Sequence, residues 1–334
     1  MREALRVAAA GRIGESMGYL LNGTWYTGSP GFATDAGEFE RKASAFRNFV
    51  TPDGAPGPTG EGGFPAVPGR YHLYVSLACP WAHRTLIMRR RKGLEDMIGL
   101  SVVHWFMGDD GWTFDEGRGT VPDTVNGTAF LRDVYLKADP DCSGPVTVPV
   151  LWDRERETIV SNESSEIVRM FDKAFDGVGA AEADHRPAGL EDEIDAVNER
   201  VYETVNDGVY RAGFATRQEA YDRAVKALFD SLDWLEARLE GRRFLVGDAL
   251  TEADVRLYTT LVRFDPVYHG HFKCNVRRIV DYPNLWRYLR ELYHMEGFGD
   301  TTDHFHVKNH YYGSHLSINP TRIVPRGPAI DYSL

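Results

Sequence analysis

Hydrophobic and polar positions change period along this chain. Between residues 71 and 167 the apolar residues come in short runs. Tyr71–Leu77 is rich in strand formers and predicts a buried strand, and a helix follows from Trp81 to about Lys92. Leu100–Phe106 reads as a second strand, Val148–Trp152 as the start of a third and Thr158–Val160 as a fourth. Asn162–Ile167 then opens another helix, with Asn162 or Ser161 as its cap. From Ala188 the period becomes 3.6. Tyr221, Val225, Leu228, Leu232, Leu235 and Leu239 lie on one face of a long helix that Gly241 stops. Thr251 and Asp254 form a capping arrangement, with Leu250 placed to staple onto Val255. Further helices fit Pro283–His294 and roughly Thr301–Tyr312.

The remaining segments lack such periodicity. Residues 1–16 read as a disordered extension: their three arginines accompany Glu3 and Glu15, and no continuous apolar stretch suggests a secretory signal. Residues 17–70 read as an irregular arm, because eleven of the nineteen positions in Thr51–Gly69 are Gly or Pro. Residues 107–146 form an insertion with few periodic features, and residues 313–334 an extended tail containing Pro320, Pro325 and Pro328.

At 334 residues the chain exceeds one ordinary core, which predicts two domains: 71–180 with the insertion, and an all-helical 188–312. A net charge of −11 argues against sequence-independent binding to nucleic acid or to an anionic membrane. No apolar run approaches the ~20 residues of a spanning helix. Three cysteines, Cys79, Cys142 and Cys274, cannot form a disulfide scaffold and fit a reducing, cytoplasmic compartment.

Cys79 stands between the first strand and Pro80, a residue favoured at the first position of a helix. The helix end presents unpaired N–H groups and the positive end of its dipole, which favour an anion. A thiol there is expected to ionise more readily than usual, which makes Cys79 a candidate nucleophile. The competing reading is a buried small hydrophobe. In Cys79-Pro80-Trp81-Ala82 no second cysteine stands at the resolving position, so any disulfide formed at Cys79 must be resolved by an external thiol. Arg89–Lys92 reads as a helix C-terminus rather than an anion site.

The order β-α-β, insertion, β-β-α is the thioredoxin-like arrangement, in which Pro149 is expected to be cis beside the cysteine. The predicted fold class is therefore an α/β thioredoxin-like N-terminal domain plus an all-α C-terminal domain, the glutathione transferase architecture. Seven segments carry a more specific resemblance: SLACPWAHRT (76–85), VPVLWD (148–153), IVSNES (159–164), GVYRAGFAT (208–216), TEADVRL (251–257), TLVRFDPVY (260–268) and NHYYGSHLSINPT (309–321). Together they resemble the glutathionyl-hydroquinone reductases, the xi class of glutathione transferases, from about Met17 to Pro328.

That resemblance implies removal of glutathione from glutathionylated hydroquinones. A mixed disulfide forms on Cys79, and a second glutathione frees the enzyme as oxidised glutathione. It also implies a homodimer, with glutathione as co-substrate and no metal. Carried over by motif, the glutathione site comprises Trp112, Val148 beside Pro149, and Glu163 with Ser164. Val148 pairs its backbone with the cysteinyl part, and Glu163 and Ser164 hold the γ-glutamyl end. The family's tyrosines match Tyr210, Tyr268 and Tyr311, whose hydroxyls can donate to ring oxygens and help move protons. Taken singly, each is equally an amphipathic core residue. The chain departs from several relatives at Gly313, where they carry a basic or bulkier residue, while Arg211 keeps a positive charge that relatives often carry as lysine.

Three other readings compete. An omega-like thiol transferase or dehydroascorbate reductase would use the same Cys79. A non-catalytic binding protein on the same fold would be expected to lack it. Seven histidines between His269 and His315 suggest a metal site, but no second cysteine or paired carboxylate completes a tetrahedral set.

Overall fold

A computed structural model describes residues 18–28, 34, 36–41 and 43–334. The extension expected at 1–16 lies outside the described residues. The first half is built on a four-stranded sheet of β3 (Tyr71–Val75), β4 (Ile98–Val102), β6 (Val150–Asp153) and β7 (Thr158–Ser161), in the order β4-β3-β6-β7. β3 and β4 are parallel, with Tyr71 opposite Ile98, while β6 runs antiparallel to β3 with Asp153 opposite Tyr71. Every residue of β3 and β6 is buried, as expected for strands covered on both faces.

Helix α1 (Pro80–Arg91) follows β3, and α3 (Ser164–Lys173) follows β7 and packs beside it. Pro80 occupies the first position of α1, where a missing N–H costs nothing. Arg89, near the other end, donates to the Ile98 and Glu95 carbonyls at 2.8 Å each. The cap of α3 differs from both expected residues. Glu163 takes that place, its side chain accepting from the Ser165 N–H at 3.1 Å, while the Asn162 side chain ties the Phe46 N–H and the Tyr135 hydroxyl.

The second strand begins two residues earlier than the pattern suggests and stops at Val102. Beyond it, the His104 N–H turns to the Thr113 carbonyl in the insertion. The insertion itself contains a helix, α2 (Leu131–Ala138), and a two-residue strand, β5 (Gly144–Pro145). β5 pairs with an N-terminal hairpin, β1 (Tyr19–Leu21) and β2 (Thr24–Tyr26), so the start of the arm is regular rather than irregular. Asn22 and Gly23 form its turn at φ 48° and 72°, the positive-φ pair that a tight hairpin requires.

The helical half comprises α4 (Glu191–Val201), α5 (Gly208–Gly213), α6 (Gln218–Arg238), α7 (Glu252–Arg263), α8 (Pro283–Tyr293) and α9 (His304–Ser314). One π-helical turn at Tyr202–Asn206 joins α4 to α5, and another at Phe264–Tyr268 extends α7. All twelve residues of α7 are buried, and α1 packs against it. The capping box at Thr251 and Asp254 is present. Asp254 accepts from the Thr251 N–H and hydroxyl at 2.8 and 3.0 Å, from the Leu245 N–H at 2.9 Å and from the Tyr288 hydroxyl at 2.8 Å. The tail after α9 has no regular element. Tyr332 anchors it, stacked 4.2 Å from Tyr293.

Asp254 is fully buried and satisfies four donors at once. Asp254→Ala removes the cap and strands the buried Leu245 N–H and Tyr288 hydroxyl. We expect a loss of about 2 kcal/mol or more, read as a lower urea midpoint at unchanged slope.

Candidate active site

The two halves meet where β3 ends. Arg263, the last residue of α7, is completely buried and donates into the turn before α1: Nε to the Ala78 carbonyl at 2.9 Å and Nη2 to the Leu77 carbonyl at 3.1 Å. Its Nη1 reaches the Thr259 carbonyl at 2.8 Å and His83 Nδ1 at 3.0 Å. Burial, with the Arg263 charge beside it, pushes His83 well below its ordinary value, so the ring is a neutral acceptor.

This turn delivers Cys79 to the N-cap of α1, half-buried at the wall of a cleft of about 290 Å³. The thiol lies 3.6 Å from the Val148 carbonyl, to which it donates. The Val148–Pro149 bond is cis. Burial pushes the thiol up from its ordinary value. It outweighs the Ala82 and Trp81 N–H groups and the charges of Arg263 and Arg41, which pull it down. The helix end therefore acts in the expected direction, but burial outweighs it and the net shift is upward.

The carried-over glutathione residues share this cleft with Cys79. Trp112, Val148, Pro149, Glu163 and Ser164 all line it. The Glu163 carboxylate accepts from the Ser165 N–H and hydroxyl at 3.1 and 2.8 Å and from the Ser44 hydroxyl at 3.0 Å. Burial opposes its ionisation, yet these donors, with Arg84 nearby, bring it below the usual carboxylate range. It therefore presents an anion at the cleft wall. Trp112 stacks on His310, with ring centroids 4.9 Å apart.

The cleft also carries a group of tyrosines. The Tyr210 and Tyr311 hydroxyls are 2.5 Å apart, and Tyr311 is 3.0 Å from the Tyr268 hydroxyl. Tyr210 and Tyr311 line the cleft. Tyr268 is fully buried behind them and reaches it through Tyr311. Burial raises all three phenols, most strongly Tyr210 and Tyr311, so they remain protonated donors.

Several cleft residues escaped the sequence reading. The arm contributes Phe39, Arg41 and Ser44, and the helical half contributes Tyr202, Phe214 and His315. Nothing in the local sequence of the arm marks them. Arg263 had a visible signal, being a lone cation between Val262 and Phe264. Cys142 lies on the cleft wall; Cys274 is fully buried elsewhere. Neither Gly313 nor Arg211 lines the cleft. A Cβ at Gly313 would meet only Phe106, at 3.9 Å, and Arg211 pairs with Asp207 at 3.0 Å.

Several histidines between His269 and His315 bond one another or a backbone carbonyl. His271 bonds His315 at 3.2 Å, and His310 bonds the Trp105 carbonyl at 2.9 Å. Among the described residues, no group of three or more His, Cys, Asp or Glu is placed to hold a metal. No described helix is long and apolar enough to cross a membrane.

Residues 78–174 match the model of the glutathione S-transferase N-terminal domain, and 218–291 that of the C-terminal domain. The chain is 57% identical over 313 residues to glutathionyl-hydroquinone reductase YqjG of Escherichia coli (strain K12), covering 93% of this chain and 95% of that protein. It is 54% identical over 313 residues to glutathionyl-hydroquinone reductase PcpF of Sphingobium chlorophenolicum, covering 94% and 97%. The glutathione-bound structure of the Escherichia coli protein superposes with a TM-score of 0.88 at 55% identity, covering 94% of this chain and 97% of that one. A xi-class transferase from Natrialba magadii gives 0.87 at 48% identity, covering 96% and 95%.

A raised thiol has a direct consequence. In the free protein, alkylation of Cys79 by iodoacetamide should accelerate steadily between about pH 6 and about pH 9. Mass spectrometry of the Cys79 peptide measures it; a rate already level at the acidic end would contradict the dominance of burial.

Proposed function

The chain belongs to the glutathione S-transferases, in the xi class of glutathionyl-hydroquinone reductases, and we propose that it removes glutathione from glutathionylated hydroquinones through Cys79. The observation that carries this reading is the shared cleft. It joins the Cys79 thiol, the Val148 carbonyl, the Glu163 carboxylate and a chain of protonated phenols.

Glutathione binds as an extended peptide. Glu163 receives the γ-glutamyl ammonium and Ser164 its carboxylate, Val148 pairs its backbone with the cysteinyl unit, and Trp112 closes the wall. Glu163 suits this role because its three donors leave the carboxylate ionised before the peptide arrives. Sulfur from the conjugate then lies against Cys79, and the aromatic ring faces Tyr210 and Tyr311.

Breaking a bond from sulfur to an aromatic carbon is difficult because that carbon is a poor leaving group. The hydroquinone first tautomerises: its sulfur-bearing carbon gains a proton and the neighbouring hydroxyl loses one, giving a ketone. The Cys79 thiolate attacks the glutathione sulfur and an S–S bond forms as the C–S bond breaks. The electron pair passes into the ring and onto its oxygen as an aromatic phenolate, which then takes up a proton. Tyr210 and Tyr311 donate to that oxygen, and Tyr268 positions Tyr311. A second glutathione thiolate attacks the mixed disulfide, releasing oxidised glutathione and restoring Cys79. No resolving cysteine is needed, in keeping with alanine at position 82. A thiol-consuming cycle fits a reducing cytoplasm, and we assign the protein there as a homodimer, like others of its class.

Wild-type protein given a glutathionyl-hydroquinone and glutathione should release hydroquinone and oxidised glutathione in equal amounts, and Cys79→Ser should release neither. Absence of release by wild type would sink the function; equal rates would sink the role of Cys79. Tyr311→Phe should slow hydroquinone release roughly tenfold to a hundredfold, and Tyr268→Phe by less. Both should retain thiol–disulfide exchange with a small mixed disulfide, which has no ring oxygen to stabilise.

A further inference from the structure

One charge in the cleft is left over by this scheme. Arg41 enters from the N-terminal arm, and its Nε donates to Asp207 Oδ1 at 2.9 Å. The other oxygen of Asp207 accepts from Arg211 at 3.0 Å. Among the described residues the Arg41 Nη2 atom, itself buried although the side chain is 31% exposed, has no hydrogen-bond partner. A buried guanidinium N–H without a partner costs stability that a ligand acceptor would recover.

The surroundings of Arg41 show which part of a ligand it meets. Its guanidinium carbon lies 4.7 Å from the Trp81 ring centroid, 5.0 Å from that of Tyr210 and 5.3 Å from that of Phe39. Phe39 stacks in turn on Phe214 at 5.6 Å. Phe39, Trp81, Tyr210 and Phe214 all line the cleft; Arg84, whose charge acts on Glu163, lies over the Trp81 ring at 4.5 Å, bonds Asn206 at 2.7 Å and is not among the lining residues. The Arg41 charge also favours the ionised forms of Cys79 and Tyr210, which places it near the reacting atoms.

We propose that Arg41 is a specificity-determining residue that donates from Nη2 to a ring oxygen of the bound conjugate, the oxygen that becomes anionic when the carbon–sulfur bond breaks. This rests on the reductase reading above. A charge-assisted hydrogen bond from a guanidinium held by Asp207 strengthens as the phenolate forms, so it acts on bond cleavage more than on binding. It confers preference for aromatic conjugates bearing oxygen beside the sulfur-carrying carbon. Reduction of a glutathione mixed disulfide, whose leaving group is a thiolate, makes no such demand.

The test compares wild type, Arg41→Gln and Arg41→Lys on two kinds of substrate: a series of glutathionyl-hydroquinones with graded ring chlorination, and the mixed disulfide of glutathione with cysteamine. Arg41→Gln should lower kcat for hydroquinone release roughly 10- to 100-fold and slow mixed-disulfide reduction far less, only to the extent that the Arg41 charge supports the Cys79 thiolate. Arg41→Lys should recover part of the loss. The Arg41→Gln defect should shrink as chlorination makes the departing phenol more acidic, because less charge then needs stabilising. A loss shared equally by both substrate kinds, a defect indifferent to phenol acidity, or an undiminished kcat would each overturn the assignment. So would a raised KM for glutathione common to both reactions, since it would move Arg41 to the peptide. Failure of wild type to release hydroquinone would remove the reductase reading itself, a different result from wild-type release with an unaffected variant.

Discussion

A buried guanidinium holds the two halves of this protein together where the chemistry occurs. Arg263 belongs to the helical half, yet two of its four hydrogen bonds go to the turn that carries Cys79. Its partners are three carbonyls and a neutral histidine, and among the described residues no carboxylate pairs with it. A cation buried in this way is costly, and its hydrogen bonds offset only part of that cost. What remains is positive potential close to the sulfur, which a carboxylate partner would have cancelled. The same contact that locks the domain interface therefore favours the thiolate.

That potential works against burial, and in the free protein burial prevails. Phenols around the sulfur obey the same physics with the opposite usefulness. Burial raises Tyr210 and Tyr311 and keeps them protonated, so they can donate to an oxygen on which charge develops. One low-dielectric cleft thus restrains the attacking group while preparing the groups that receive the leaving charge.

Much of this was legible in the sequence, for local reasons. Cys79 before Pro80 marks a helix start because proline lacks the N–H that would be unpaired there, and α1 begins at Pro80. Thr251 and Asp254 make their capping box through contacts three residues apart. Asn22-Gly23 between two short apolar runs was equally local, and the reading that called the arm irregular passed over it. The misplaced cap at α3 has a different origin. Asn162 has a suitable side chain, but Phe46 of the arm and Tyr135 of the insertion claim it, so Glu163 caps instead.

By itself the sequence determined the order of the four main strands and the two helices that follow β3 and β7, the position of the nucleophile at a helix end and the absence of a resolving cysteine. Each depends on neighbours a few residues apart, where backbone geometry dictates the outcome. The tertiary structure alone decided which distant groups surround that sulfur. It brought Arg263 beneath the turn, Ser44 to Glu163 and Arg41 across Trp81, over separations of more than a hundred residues in the first two cases. It also set Tyr268 behind Tyr311 rather than beside it. Most consequentially, it reversed the expected ionisation of Cys79. Helix-end donors are a local property, whereas desolvation depends on everything packed around the group.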